Sequence, residues 1–97
     1  MFQRINKQQA QELLKDENVK LVDIRDTASY NDGHLKSAIH LTQSNIGEFI
    51  ETTPKEAPIL VICYHGNSSQ TIAQYLSSCN FTSVYSIDGG YEGWINE

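Results

Sequence analysis

Ile59-Leu60-Val61-Ile62-Cys63-Tyr64-His65-Gly66-Asn67-Ser68-Ser69 reads as a strand, a short polar loop opening on a cysteine, and the start of a helix. Aliphatic residues in unbroken succession, β-branched ones among them, favour a strand buried on both faces. Gly66 and Asn67 can take the positive φ of a tight loop, and Ser68 or Ser69 suits the N-cap of the helix that follows. Cys63 is therefore expected where a strand runs out and the free amides of a helix N-terminus gather. Those amides and the helix dipole favour negative charge, so they would stabilise a thiolate and also bind an anionic substrate. The plainer alternative is a buried cysteine that behaves as a small hydrophobe. Cys79 fits that alternative, since it shares the spacing of one helix face with Ile72 and Leu76 and is expected to fill core.

Outward from this segment the chain alternates strands and helices. Asn6 is the expected N-cap of a helix reaching about Lys15, with Ala10, Leu13 and Leu14 on one face. Lys20 to Ile24 reads as a short strand ending in the charged run Asp23, Arg25, Asp26. Thr27 to Asp32 reads as a helical turn stopped by Gly33 in the manner of a C-terminal glycine. Ala38 to Leu41 is the next strand. Ser44 can cap a helix carrying Ile46, Phe49 and Ile50, which ends before Pro54. After the strand Pro58–Cys63 come a helix from Ser69 to Cys79, a strand from Ser83 to Ile87, a turn at Asp88-Gly89-Gly90 and a final helix from Tyr91 to Ile95. The alternation implies an α/β fold, a mainly parallel sheet of about five short strands with helices on both faces. Ligands bind such sheets beyond the carboxyl ends of strands. Asp23–Asp26, Cys63–Ser68 and Asp88–Gly90 all fall there.

The whole chain, residues 1–97, has the length of one domain. Its formal net charge is −5, and its scattered Lys and Arg argue against a nucleic-acid surface. Any anion binding must then be local, supplied by backbone amides against a repulsive overall field. The longest apolar run, Ile59 to Tyr64, is too short to span a bilayer, and the opening residues lack the apolar core of a secretory signal. Two cysteines in unlike surroundings suggest no disulfide framework, so a cytoplasmic protein is expected. No Cys-x2-Cys or His-x3-His pairing points to zinc, and no metal or cofactor is expected.

On several motifs the sequence resembles the rhodanese-like family. Leu21-Val22-Asp23-Ile24-Arg25-Asp26, with Tyr30, Gly33-His34 and Ala38 after it, looks like the family's first signature. Val84 to Trp94, with its double glycine and closing tryptophan, is similar to the C-terminal one. Cys63 to Ser69 looks like the active loop of the small single-domain thiosulfate sulfurtransferases of the GlpE type. The chain departs from many relatives at Lys36-Ser37, where they carry Pro-Gly, and at Ser29, where they carry an acid. Its loop also lacks the basic residue of many larger rhodaneses, which bears on substrate preference.

The resemblance implies a rhodanese-like three-layer fold and a thiosulfate sulfurtransferase. Cys63 would attack the outer sulfur of thiosulfate, release sulfite and hold a persulfide. Cyanide or a thiol, a dithiol or a thioredoxin-like protein among them, would then take that sulfur. Tyr64, His65, Gly66, Asn67, Ser68 and Ser69 would bind substrate, chiefly through backbone amides, with Ser68 adding a hydroxyl. Arg25 is either a supporting cation or half of an ion pair with its flanking aspartates. His34 and His40 read as hydrogen-bonding scaffold, His65 as a partial positive charge near the thiolate, and Tyr91 and Trp94 as packing. No membrane partner is expected, and the protein is expected as a monomer or weak dimer. The nearest alternative is a persulfide carrier serving other proteins. A cysteine phosphatase or arsenate reductase would use Cys-x5-Arg, whose arginine clamps the oxyanion, and Ser69 stands at that position.

Overall fold

The centre of the fold is the strand Ile59–Ile62, whose residues are all fully buried. The computed structural model describes residues 1–96. In chain order its elements are β1 (Gln3–Ile5), α1 (Lys7–Leu13), β2 (Lys20–Asp23), α2 (Thr27–Asp32), β3 (Ile39–His40), α3 (Ile46–Thr52), β4 (Ile59–Ile62), α4 (Ser68–Ser78), β5 (Val84–Ile87) and α5 (Gly90–Ile95). The strands form one sheet in the order β1-β5-β4-β2-β3, and every pairing is parallel. No helix among the described residues is long and apolar enough to cross a membrane.

Side chains of β4 alternate between two cores, as the two-residue period of a strand requires. Ile59 and Val61 join Val22, Phe49, Ala73, Leu76 and Phe81 on the face covered by α3 and α4. Leu60 and Ile62 join Ile5, Ala10, Leu21 and Ile87 on the face covered by α1, with Tyr30, Tyr91 and Trp94 packed at the margin. Burying each such aliphatic side chain is worth about 1.5–3 kcal/mol, which makes this strand the best-anchored segment of the chain. Cys79 is half-buried against the first core, the packing role expected of it.

Several local expectations are corrected. The strand Gln3–Ile5 was not anticipated, because only Ile5 is buried on this short, polar edge. Asn6 does cap α1, in a reciprocal capping box with Gln9. Ser44 does not cap α3. Asn45 holds the cap position without a side-chain cap bond, and its amide instead accepts from Thr42 N–H and donates to the His40 carbonyl. Gly33 ends α2 with φ 169°, an extended conformation and not a left-handed one. A Cβ there would lie 3.1 Å from the Tyr91 hydroxyl.

The end of β2 is tied down by a buried ion pair. Arg25 Nε donates to both Asp23 carboxylate oxygens at 3.1 Å, and Nη2 donates to Oδ2 at 2.8 Å. Nη2 also reaches the Gly33 carbonyl at 2.6 Å. Asp26 takes no part and caps α2, accepting from the Ser29 amide and hydroxyl. His40 bonds the Arg25 carbonyl at 2.7 Å through Nε2. Tyr30 stacks against both His34 and His40. The two histidines are scaffold.

Breaking this pair should be costly, since a lone charge in a buried site loses hydration without recovering a partner. Asp23→Ala is expected to lower unfolding free energy by about 3–5 kcal/mol. The double variant Asp23→Ala/Arg25→Leu should lose distinctly less. Urea unfolding of both proteins measures the difference.

Candidate active site

β4 delivers Cys63 to the carboxyl edge of the sheet, and the loop after it folds back over the sulfur. The Gly66 and Ser69 amides donate to Sγ at 3.1 and 3.2 Å. Neither Ser68 nor Ser69 is the N-cap of α4. That position falls to Asn67, which has φ −96° and makes no side-chain cap bond. The Cys63 sulfur takes the place of a capping side chain, accepting from an amide in the first turn of the helix. Within the loop from Cys63 to Ser69, positive φ is confined to Gly66, at 95°.

Burial pushes the Cys63 thiol up, because a buried anion loses hydration. The Ser69 hydroxyl and the amides of Ser69, Gly66 and His65 pull it down further, so it ionises below its ordinary value. The residue is only 4 % exposed, and donors rather than water hold the anion. An amide cradle of this kind favours a nucleophilic sulfur and also the negative charge that an attached group would bring.

The cradle is held open from behind by β5 and α5. The Cys63 carbonyl accepts from Tyr91 N–H at 2.7 Å, and the Tyr64 carbonyl accepts from Glu92 N–H at 3.1 Å. Gly90, with φ 60°, makes this approach possible. A Cβ there would sit 2.5 Å from the Tyr64 carbonyl and 2.6 Å from that of Cys63. Gly66 meets the same turn, since a Cβ on it would lie 2.8 Å from Gly89 N. The double glycine is visible in the sequence as a turn, but its contact with the loop is a tertiary fact.

Of the anticipated site residues, Gly66 and Ser69 are buried beside the sulfur, while Tyr64, His65, Asn67 and Ser68 are exposed. Of the two serine hydroxyls it is that of Ser69, and not that of Ser68, that favours the Cys63 thiolate. His65 turns outward, with Nδ1 3.7 Å from a Glu92 carboxylate oxygen. Arg25 faces Asp23, and its guanidinium lies 3.9 Å over the Tyr91 ring and 5.9 Å from that of Tyr64. Sequence reasoning missed Ser86, a buried β5 residue whose hydroxyl is 2.7 Å from that of Ser69. A lone serine in an apolar strand gave no signal of this. Among the described residues no group of three or more His, Cys, Asp or Glu could hold a metal ion.

A family model described as a rhodanese-like domain matches residues 6–97. The chain is 53 % identical over 93 residues to "Thiosulfate sulfurtransferase GlpE" of Tolumonas auensis, covering 96 % of this chain and 88 % of that protein. It is 48 % identical to the protein of the same name from Pseudomonas putida, covering 96 % and 84 %. Among solved structures, a rhodanese-related protein from Thermoplasma volcanium superposes with a TM-score of 0.81 at 25 % identity, covering 98 % of this chain and 92 % of that one.

The pH dependence of alkylation tests the cradle. Iodoacetamide should modify Cys63 with a midpoint below the free-thiol value of about 8.5. Gly90→Ala, which forces a methyl group into the loop carbonyls, should move that midpoint upward. It should also cost at least about 1 kcal/mol of stability through the left-handed backbone alone. Because the folded thiol ionises below the unfolded one, the thiolate contributes stability above the unfolded value, and that contribution fades as pH falls through the folded pKa. The stability advantage of the native protein over Cys63→Ser should follow the same curve.

Proposed function

The chain belongs to the rhodanese-like family, and from that membership we propose that it is a thiosulfate sulfurtransferase with Cys63 as its nucleophile. The observation that carries this reading is the cluster of donors on the Cys63 sulfur, at the end of a strand too well buried to shift. The Cys63 thiolate attacks the outer sulfur of thiosulfate. A sulfur–sulfur bond forms to Sγ, the one within thiosulfate breaks, and sulfite leaves with its electron pair. The terminal sulfur of the persulfide then stands about 2 Å beyond Sγ. Loop amides between Tyr64 and Ser69 stabilise the charge it carries. Cyanide or a thiolate attacks that terminal sulfur, and the Cys63 thiolate returns. Two half-reactions on one residue give ping-pong kinetics.

The loop residues divide the work. Gly66 and Ser69 hold the sulfur, whereas Tyr64, His65, Asn67 and Ser68 form the rim that an incoming anion meets. Arg25 supports the site indirectly, by pinning the Tyr91 ring whose amide holds the Cys63 carbonyl. A cavity of about 520 Å³ beside Ser68, lined by Ile24, Leu41, Ile46 and Ile72, suits the apolar body of a thiol acceptor. Two free cysteines fit a reducing cytoplasm. Phosphoryl chemistry is disfavoured because buried Ser69 stands where a clamping arginine would be needed.

Intact mass after incubation with thiosulfate should show one added sulfur. Cys63→Ser should abolish both this adduct and thiocyanate formation from cyanide, while Cys79→Ser keeps most of each. A folded Cys79→Ser protein that had lost the adduct as fully as Cys63→Ser would overturn the assignment of Cys79 to the core.

p-Nitrophenyl phosphate should be hydrolysed no faster by the native protein than by Cys63→Ser. A Cys63-dependent phosphatase rate would replace the sulfurtransferase reading with the phosphatase one.

A further inference from the structure

Gly66 is held on its amide side and its carbonyl side by different groups. Its amide donates to the Cys63 sulfur at 3.1 Å. Its carbonyl accepts from the side-chain amide of Gln70, whose Nε2 lies 2.9 Å away. In a regular helix a carbonyl is served by the backbone amide four residues on, which for Gly66 is also that of Gln70. That amide goes instead to the Asn67 carbonyl at 3.1 Å, and among the described residues no backbone amide donates to the Gly66 carbonyl. The half-buried Gln70 side chain, in the first turn of α4, takes the place of its own main chain.

The clamp answers a weakness of the loop. At φ 95° Gly66 has left the helical conformation, and with no side chain its backbone is the freest in the cradle to rotate. Gly66 is also buried, so a carbonyl without a donor there would turn in search of one. The amide on the other side of the same Cα would then swing off the sulfur. The neighbouring Asn67 makes no side-chain cap bond and so does not steady the turn. Glutamine supplies the missing donor without bringing a charge into the site. Helix formation alone gives no reason for the contact, since other straight-chain residues serve α4 equally well.

We propose that Gln70 is a positioning residue that clamps the Gly66 carbonyl and so keeps the Gly66 amide aimed at the Cys63 sulfur. The role deepens the function proposed above and rests on its reading of Cys63 as the nucleophile. Gln70 acts on the sulfur through Gly66. With the carbonyl pinned to α4 and the amide bonded to the anion, the two peptide groups of Gly66 are fixed together.

The test combines amide hydrogen exchange, read residue by residue by NMR, with the pH profile of iodoacetamide alkylation at Cys63. Neither readout requires a sulfur donor, so both can fail while the sulfurtransferase reading stands, and the reverse. Gln70→Met and Gln70→Ala both lack the donor. In each, the Gly66 amide should exchange at least about ten-fold faster, while that of Ile59, bonded to the Ser83 carbonyl, keeps its rate. The alkylation midpoint should rise by about half to one pH unit, roughly a three- to ten-fold loss of thiolate at neutral pH. The charged groups at this end of the sheet are Arg25 and Asp26 beyond β2, His65 in the loop, and Asp88 and Glu92 beyond β5, and α4 itself carries none. All stay in place in both variants. Gln70→Lys, which retains a donor on a long chain, should restore the protection of the Gly66 amide. It is read by exchange alone, because its own charge favours the thiolate. Equal acceleration at Gly66 and Ile59 would overturn the proposal and assign Gln70 to packing, as would loss of fold in both donorless variants. An unchanged midpoint, or no recovery of protection in Gln70→Lys, would overturn it as well.

Discussion

Two backbone hydrogen bonds, from the amides of Tyr91 and Glu92 to the carbonyls of Cys63 and Tyr64, decide which way the peptide groups after β4 face. A loop around an anion must turn its N–H groups inward, and its C=O groups then need partners elsewhere. The first turn of α5 supplies those partners, since its own leading amides have no bond within the helix. Everything else in the site follows from that exchange. Gly90 must lack a side chain to let the two backbones meet, and Gly66 must take a positive φ to bring its amide around to the sulfur. Arg25 keeps α5 in place by its stack on Tyr91.

The fold was largely legible because the chain punctuates itself. Ile59 to Ile62 could hardly be anything but an inner strand, and Asn6 announces the start of α1. Legibility fell wherever an element owes its existence to a neighbour. Strand β1 has one buried residue and is held by pairing to β5, so local sequence carries no trace of it. Serine is a good cap by propensity, yet Ser44 and Ser68 cap nothing: Asn45 holds the cap position of α3 while its side chain turns back to Thr42 and His40, and at α4 a cysteine sulfur reaches a first-turn amide. Propensity ranks candidates at a helix start, and three-dimensional proximity chooses among them.

The site shows the same division. Cys63 and the polar loop stand out as sequence, and the α/β alternation places them at the correct edge. The pairing of Arg25 with Asp23 alone was not legible, because Asp23 and Asp26 flank it almost symmetrically along the chain. Only the turn into α2 separates them, sending Asp26 to the Ser29 amide and leaving Asp23 in the interior. Ser86 was hidden for a related reason. A buried hydroxyl gains meaning from what it faces, and its partner lies seventeen positions away in the chain.

The cradle is assembled from segments far apart in sequence: the end of β4, the start of α4 and the turn between β5 and α5. None of its donors is in place until the central strands have paired across long loops, the slow part of forming any parallel sheet. A nascent or misassembled chain therefore carries Cys63 as an ordinary thiol, mostly protonated at neutral pH. Chemical danger and native structure arrive together. The chain acquires its reactive sulfur only at the stage when that sulfur is already enclosed, which spares it from oxidation and from indiscriminate disulfide exchange while it folds.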